Sequence, residues 1–477
     1  MIALAFAVAL AMQDPASDAE FLRRATLDLS GTIPTSGQAR AFLADPDGAK
    51  REKLIDRLMA SPDYARRLEQ AVTVMFLERR SGGKIPDAQW SDYLRKAFES
   101  NEPWDRIVRS MIAADGLDED RPAMKLLADG ANGEPHRMTN DIARLFLGRN
   151  LLCAQCHDHP SVKDYKQSEY MGLFAYLSLS KLQDDPKTKK AMLVETAPKG
   201  KTEYASVFSP AKKQQTGPKL AGGEEVEVPK SAGFRPREML ADALVRHPQF
   251  ARNSVNRFWF LFMGRGLIHP LDYDHKANPP SDPALLETLT AEFVASGFDV
   301  RKLVRRIVAG APYARTPLKP LSAEQMAWAT MTATGNLDRL SKTHEGSKFS
   351  TRDYLSGKSS AAPSSLPDIL KLFAAVFGNA EGEPEVGFQP SMTHALFLMN
   401  DRLVLDWLKP AEGNLVARLS QLTGDAVADE LYLSVLTRMP TAVERKEVAS
   451  YLERQGPKGL GDLAWALVAS TEFRMNH

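Results

Sequence analysis

The chain has 477 residues, which at roughly 100 to 200 residues per domain makes room for about two to four domains with real cores. Hydrophobic residues make up 43% and charged residues 25%, ordinary globular usage that excludes a largely disordered, collagen-like or polytopic membrane protein. The 61 Lys and Arg against 60 Asp and Glu leave a formal net charge of +1, without the basic field that sequence-independent nucleic-acid binding relies on, so nucleic acid is not an expected partner.

Residues 1–12, MIALAFAVALAM, are apolar and give way to Gln13-Asp14-Pro15, as a short secretory segment does. The run falls short of the about 20 apolar residues that a membrane span needs. Ala9-Leu10-Ala11 offers the small-x-small pattern read by a signal peptidase, with cleavage expected after Ala11. The expectation is an exported protein of the periplasm or cell envelope with no integral membrane span after cleavage. No Lys or Arg precedes the run, and the competing reading is a buried N-terminal helix of a cytosolic protein.

From Phe21 to Arg80 the pattern is helical with clear punctuation: Thr35-x-x-Gln38 reads as a capping box, and Ser61-Pro62 as the start of a helix running from Tyr64 to Arg80. More helix is expected over residues 90–114, and over 141–152, where Ile142, Leu145, Phe146 and Leu152 share one face. Residues 181–231 turn to Lys, Thr, Gly and Pro, with alternating stretches at Thr202 to Phe208 and Glu224 to Val228, the pattern of a small β excursion or an extended linker. Helical periodicity resumes at Arg237 and continues to about Ala311. Residues 341–367 read as a mobile loop, and short helices follow, one opened by the capping box Thr441-x-x-Glu444. Four helix ends each return an aromatic (Tyr64, Phe250, Tyr313, Phe473) toward a core after a turn. Their separations are irregular, so a stacked solenoid is not implied. The fold class is mainly α: a helical domain over residues 20–180, a β-containing segment over 181–231, and a second helical domain over 232–477.

The two cysteines both fall in Cys153-Ala154-Gln155-Cys156-His157-Asp158-His159. Cys-x-x-Cys-His is the attachment pattern for haem c: two thiols meet two vinyl groups, and the next residue supplies the proximal imidazole. The same residues admit a zinc site using Cys153, Cys156 and His157 or His159, and also a redox dithiol or a structural disulfide. Met171 and Met138 are candidates for a sixth haem ligand, against the plainer role of core methionines.

A second constellation holds His269, Asp272, Asp274 and His275, two carboxylates and two imidazoles within seven residues. It suits either cation binding and acid–base chemistry or a turn whose side chains satisfy loop backbone, with Asp282-Pro283 capping the next helix. Arg257, on the preceding helix, is placed to reach a carboxylate, and Trp259 to pack. No phosphate loop, Gly-x-Ser-x-Gly elbow or His-Glu-x-x-His helix occurs.

The stretch Phe21-Leu22-Arg23-Arg24-Ala25-Thr26-Leu27-Asp28-Leu29-Ser30-Gly31-Thr32-Ile33-Pro34-Thr35, with Phe146-Leu147-Gly148-Arg149 leading to the cysteine motif and Pro160, resembles the first of a pair of domains of unknown function associated with planctomycete cytochrome c modules. Pro236-Arg237, Asn256-Arg257-Phe258-Trp259, Gly264-Arg265-Gly266-Leu267, Pro279-Pro280-Ser281 and Glu472-Phe473 resemble the second. The resemblance implies export to a bacterial envelope, a link to redox or haem chemistry, and an envelope redox partner or cytochrome; no reaction attaches to the family. Two departures stand out: no separate cytochrome module precedes the first domain, and Val74 to Arg80 stands where relatives carry Trp-Leu-Asp. The lead expectation is thus an exported haem- or metal-linked redox protein. Its rivals are an enzyme working at His269, Asp272, Asp274 and His275, and a non-catalytic envelope scaffold with a structural Cys-x-x-Cys.

Overall fold

The computed structural model describes residues 17–80, 82–117, 119–196, 200–227, 235–340, 349–385 and 392–476. The apolar run over residues 1–12 lies outside them, as do residues 341–348 of the segment 341–367 expected as a loop, in which Thr351–Leu355 forms a short helix. Among the described residues the protein is mainly α-helical, with three two-stranded antiparallel sheets, and no helix is long and apolar enough to cross a membrane.

The chain forms two compact units that interleave in sequence. One comprises Met1–Leu68, Val308–Ala380 and Glu385–His477; the other comprises Glu69–Ile307 and Glu381–Pro384. This partition differs from the consecutive boundaries that composition suggests.

In the first unit, the helix Asp18–Ser30 buries every residue from Phe21 to Ser30, charged ones included. Burial of that kind needs each polar group partnered. Arg23 donates to the carbonyls of Val435 (3.1 Å) and Phe473 (2.8 Å), and Asp28 accepts from Tyr313 Oη (2.8 Å), Asn476 Nδ2 (2.9 Å) and Lys319 Nζ (2.7 Å). The helix Asp18–Ser30 and the strand Met475–Asn476 thereby share one polar centre beside a core that includes Leu27, Phe373, Trp407 and Leu431. The capping boxes at Thr35 and Thr441 form as the sequence predicts.

In the second unit, Phe146, Phe76, Trp104 and Phe258 pack in series, edge-on or tilted, with ring centroids 5.2–5.9 Å apart. Each such buried side chain contributes about 1.5–3 kcal/mol of apolar burial. The segment expected as β excursion or linker belongs to this unit. Ser180–Asp184 pairs with Ala191–Glu195, and Thr202–Tyr204 with Gln214–Thr216. Residues 224–227 form no strand. Arg237, fully buried, explains why the first hairpin is not a bare connector: Nε bonds Glu195 Oε2 at 3.0 Å, Nη2 bonds the Leu193 carbonyl at 3.0 Å, and Nη1 bonds the Ala114 carbonyl at 2.7 Å. One guanidinium joins the hairpin to the end of Trp104–Ala113 and the start of Pro236–Arg246.

All four returning aromatics are buried as expected: Tyr64, Tyr313 and Phe473 in the first unit and Phe250 in the second.

Candidate functional site

The helix that feeds the cysteine motif runs Pro135–Leu147, five residues short of the expected end at Leu152. Gly148 stops it with φ 66°, and Arg149 N–H closes on the Ala143 carbonyl at 3.0 Å. A β-carbon at Gly148 would lie 2.8 Å from Asn253 Oδ1, and Asn253 is held by its bond to the Leu145 carbonyl. Past the glycine the chain lies along the second constellation: Asp274 N–H bonds the Gly148 carbonyl (2.9 Å), Asn150 N–H bonds the Asp272 carbonyl (2.7 Å), and Arg149 forms a β-bridge with Tyr273. The two motifs, more than a hundred residues apart in sequence, meet here.

Leu152–Gln155 then forms a single 3-10 turn anchored by buried Leu151 and Ala154, and it leaves Cys153 and Cys156 exposed and unpaired. His157 Nδ1 lies 2.6 Å from the Asp158 carbonyl, which can only accept, so Nδ1 carries the proton and Nε2 keeps its lone pair. His159 is the reverse case. Its Nδ1 accepts from Val162 N–H (2.9 Å) and Ser161 N–H (3.2 Å), so the proton sits on Nε2. Asp158 caps the helix Gln167–Leu177 through Gln167 N–H (3.0 Å); this bond first, then Lys166 at 2.9 Å, holds its carboxyl below the usual range. Gln167 Nε2 bonds the carbonyls of Gln155 and Ala205, and Val207 N–H bonds that of Cys156. Phe208 sits with its ring 4.9 Å from that of His157. Leu152, Val207 and Phe208 are 59%, 58% and 76% exposed, an uncovered apolar rim around the thiols.

The carboxylates of the second constellation are held by arginines. Asp272 pairs with Arg257 and lies 4.0 Å from Arg144; Asp274 pairs with Arg252 at 3.0 Å. Arg257 thus reaches a carboxylate and Trp259 is buried, as the sequence suggests. His275 meets the edge of Tyr165 at 5.7 Å, and His159 meets the same ring at 5.7 Å. His269 has a buried Nδ1 without a hydrogen-bond partner among the described residues; burial, then the charge of Arg265, lowers its pKa. Among the described residues no three His, Cys, Asp or Glu side chains are arranged to hold a metal ion, so His157 and His159 do not converge with the thiols, nor His269 and His275 with the aspartates.

Three contributors escape a reading of motifs. Tyr165, fully buried, lies between the two motifs: it carries Arg149 over its ring at 4.8 Å and donates to the Asp274 carbonyl at 3.3 Å. Glu78, 2% exposed, accepts from Arg144 (2.5 Å) and Arg80 (3.1 Å), while Arg144 also grips Asp141 at 2.9 Å. Burial raises the Glu78 pKa, and the two arginines pull it back. Glu78 and Arg79 both turn left-handed (φ 48° and 59°), which ends the helix at Leu77 rather than at Arg80. Third, His136 Nδ1 lies 2.7 Å from Tyr170 Oη with its ring stacked 4.2 Å from Phe174. Burial first, then the charge of Glu134, raises the Tyr170 pKa. The available signal was Tyr170 and Phe174 at i and i+4. Met138 is wholly buried in the core and Met171 half-buried.

Residues 5–181 match PSCyt2, a protein of unknown function (DUF1549), and residues 236–452 match PSD1, a protein of unknown function (DUF1553). No curated protein and no solved structure matches the chain.

Proposed function

The chain belongs to the proteins that pair these two domains of unknown function, and from that premise we propose that it is an exported envelope protein whose Cys153-x-x-Cys156-His157 turn holds haem c for a redox role. The observation that carries the reading is the chemistry of the turn: two exposed, unpaired thiols followed by an imidazole whose Nδ1–H is fixed on a backbone carbonyl. A histidine that ligates a metal through Nε2 is held in this way, because the bond at Nδ1 sets both the tautomer and the ring orientation. The uncovered Leu152, Val207 and Phe208 supply the apolar contact that a macrocycle needs.

In this reading Cys153 and Cys156 would hold the haem through their sulfurs, and His157 would offer Nε2 to its iron. When bound, the haem supplies one-electron chemistry, and the partner is an envelope redox protein or cytochrome. Asp158 and Gln167 position the turn, and Phe208 packs on the proximal imidazole and limits its contact with water.

The test is an absorption spectrum of the full chain produced in a host that carries a haem-attachment system. A Soret band that survives denaturation, and is lost in the Cys153→Ser/Cys156→Ser double variant, is the expected result. A colourless protein overturns the haem reading. Bound zinc in that colourless protein points to the thiolate–imidazole site, and no metal leaves the dithiol. Export is tested separately: mature protein from the native envelope begins near Met12, and intact Met1 on cytosolic protein contradicts it.

A further inference from the structure

The second unit holds a pocket of about 720 Å³ that shares no lining residue with the cysteine turn. Its volume is that of a small-molecule site. Its walls are built from irregular backbone. On one side the chain turns left-handed at Gly82 and Gly83 (φ 76° and 91°). On the other stands Leu126–Gly130, a π-helical turn, followed by Asn132 at φ 54°. π-Turns and left-handed non-glycine residues cost energy, persist only where surrounding structure enforces them, and concentrate at ligand sites.

The charges lining the pocket choose the ligand. Asp129 faces it but is fully engaged, accepting from Lys84 N–H (2.7 Å), Ile85 N–H (3.0 Å) and Lys125 Nζ (3.1 Å). A β-carbon at Gly83 would fall 2.4 Å from that carboxylate, so the close approach of loop and carboxylate requires glycine there. Arg137 makes no ion pair among the described residues. Lys84 reaches only Asp184, at 3.3 Å with both side chains about half exposed, a pairing that an incoming anion displaces readily. Arg80, which also pairs with Glu78 at 3.1 Å, is the third cation among the described lining residues, where Glu381 joins Asp129 as a carboxylate. None of the described lining residues is aromatic.

We propose that this pocket binds a small multivalent oxyanion, phosphate or polycarboxylate, through Arg137, Lys84 and Arg80. Planar guanidinium forks and a mobile ammonium match those oxygens with charge-assisted hydrogen bonds. The experiment titrates the full chain at low ionic strength with inorganic phosphate and with citrate, and with glucose as a neutral control, by calorimetry. One saturable site per chain is expected for at least one anion, weakened about tenfold by Arg137→Gln and by Lys84→Gln and unaffected by Lys446→Gln, a lysine of the other unit. Both pocket side chains reach solvent, so unchanged melting curves show that the variants fold. Phosphate alone binding identifies a phosphoryl ligand, and citrate alone a carboxylate one. Saturable binding of neither anion, equal loss in Lys446→Gln, unchanged affinity in the pocket variants, or glucose binding without the anions overturns the proposal.

Discussion

Asp272→Ala separates a catalytic second constellation from a structural one. Arg257 has a side chain only 7% exposed; its Nη2 bonds Asp272 and the Arg144 carbonyl, and its Nε has no partner among the described residues. Burial lowers its pKa and the Asp272 charge opposes that shift. Removing the carboxylate leaves Arg80, Arg144 and Arg257 facing only Glu78 and Asp141. Breaking a buried pair by deleting one partner costs about 3–5 kcal/mol, and the 19% exposure of Asp272 places this case near about 3 kcal/mol. For a unit of about 240 residues that corresponds to a melting temperature lower by about 6–12 °C. Thermal unfolding followed by circular dichroism measures it. The double variant Asp272→Leu/Arg257→Met, which removes both charges, should recover most of the loss. A loss under about 1 kcal/mol, or a double variant no better than the single one, refutes the reasoning.

His157→Ala is expected to perturb the iron spectrum, whereas His159→Ala leaves it largely intact and costs about 1–2 kcal/mol of stability from two lost backbone caps; equal metal loss from both variants indicates zinc. Glu444 titrates at about 2, because Arg438 first and the Thr441 N–H after it stabilise its charged form. A depressed folded-state pKa gives stability that is full above the unfolded-state value of 4.5 and lost as pH falls toward about 2. Wild type and Glu444→Gln should therefore differ in denaturation midpoint at pH 6 and converge in strong acid; a gap that persists there contradicts the ion-pair origin. Limited trypsin digestion within residues 200–227 is expected to leave fragments that co-elute, since both flanks belong to Glu69–Ile307; separate compact fragments would restore the consecutive division.

Local chemistry was legible. Thr35, Thr441 and Asp282 cap the helices assigned to them, because a cap depends on residues three positions apart. The returning aromatics were legible for the same reason: a helix stop and the residue after it lie together. The helix end at Gly148 was missed although the glycine was in view, since the apolar spacing continues through Leu152, while the left-handed turn and the contact with Asn253 that require glycine at 148 belong to the folded chain. Tyr165 and Glu78 carry no periodic signal. Their partners, Asp274 and Arg144, stand 109 and 66 residues away, and a single sequence contains nothing that pairs them. The interleaved units follow from the same kind of contact, Asp28 closing on Lys319, Tyr313 and Asn476.

The two histidines of the motif differ through the backbone one to three residues after each. Ligating a metal through Nε2 costs His157 nothing in tautomer, because its Nδ1–H already rests on the Asp158 carbonyl. His159 would have to move its proton from Nε2 to Nδ1 and surrender the bonds from Val162 and Ser161, each worth about 1 kcal/mol. That sum of about 2 kcal/mol is roughly a thirtyfold preference for His157 before any chemistry of the metal enters. His159 instead braces Tyr165, whose hydroxyl bonds the Asp274 carbonyl, and the Asp272 carbonyl receives Asn150 N–H just ahead of Cys153. The aspartates that resemble a catalytic group thus act on the cysteine turn through their carbonyls, while their carboxylates are held by arginines of the helix Pro248–Met263.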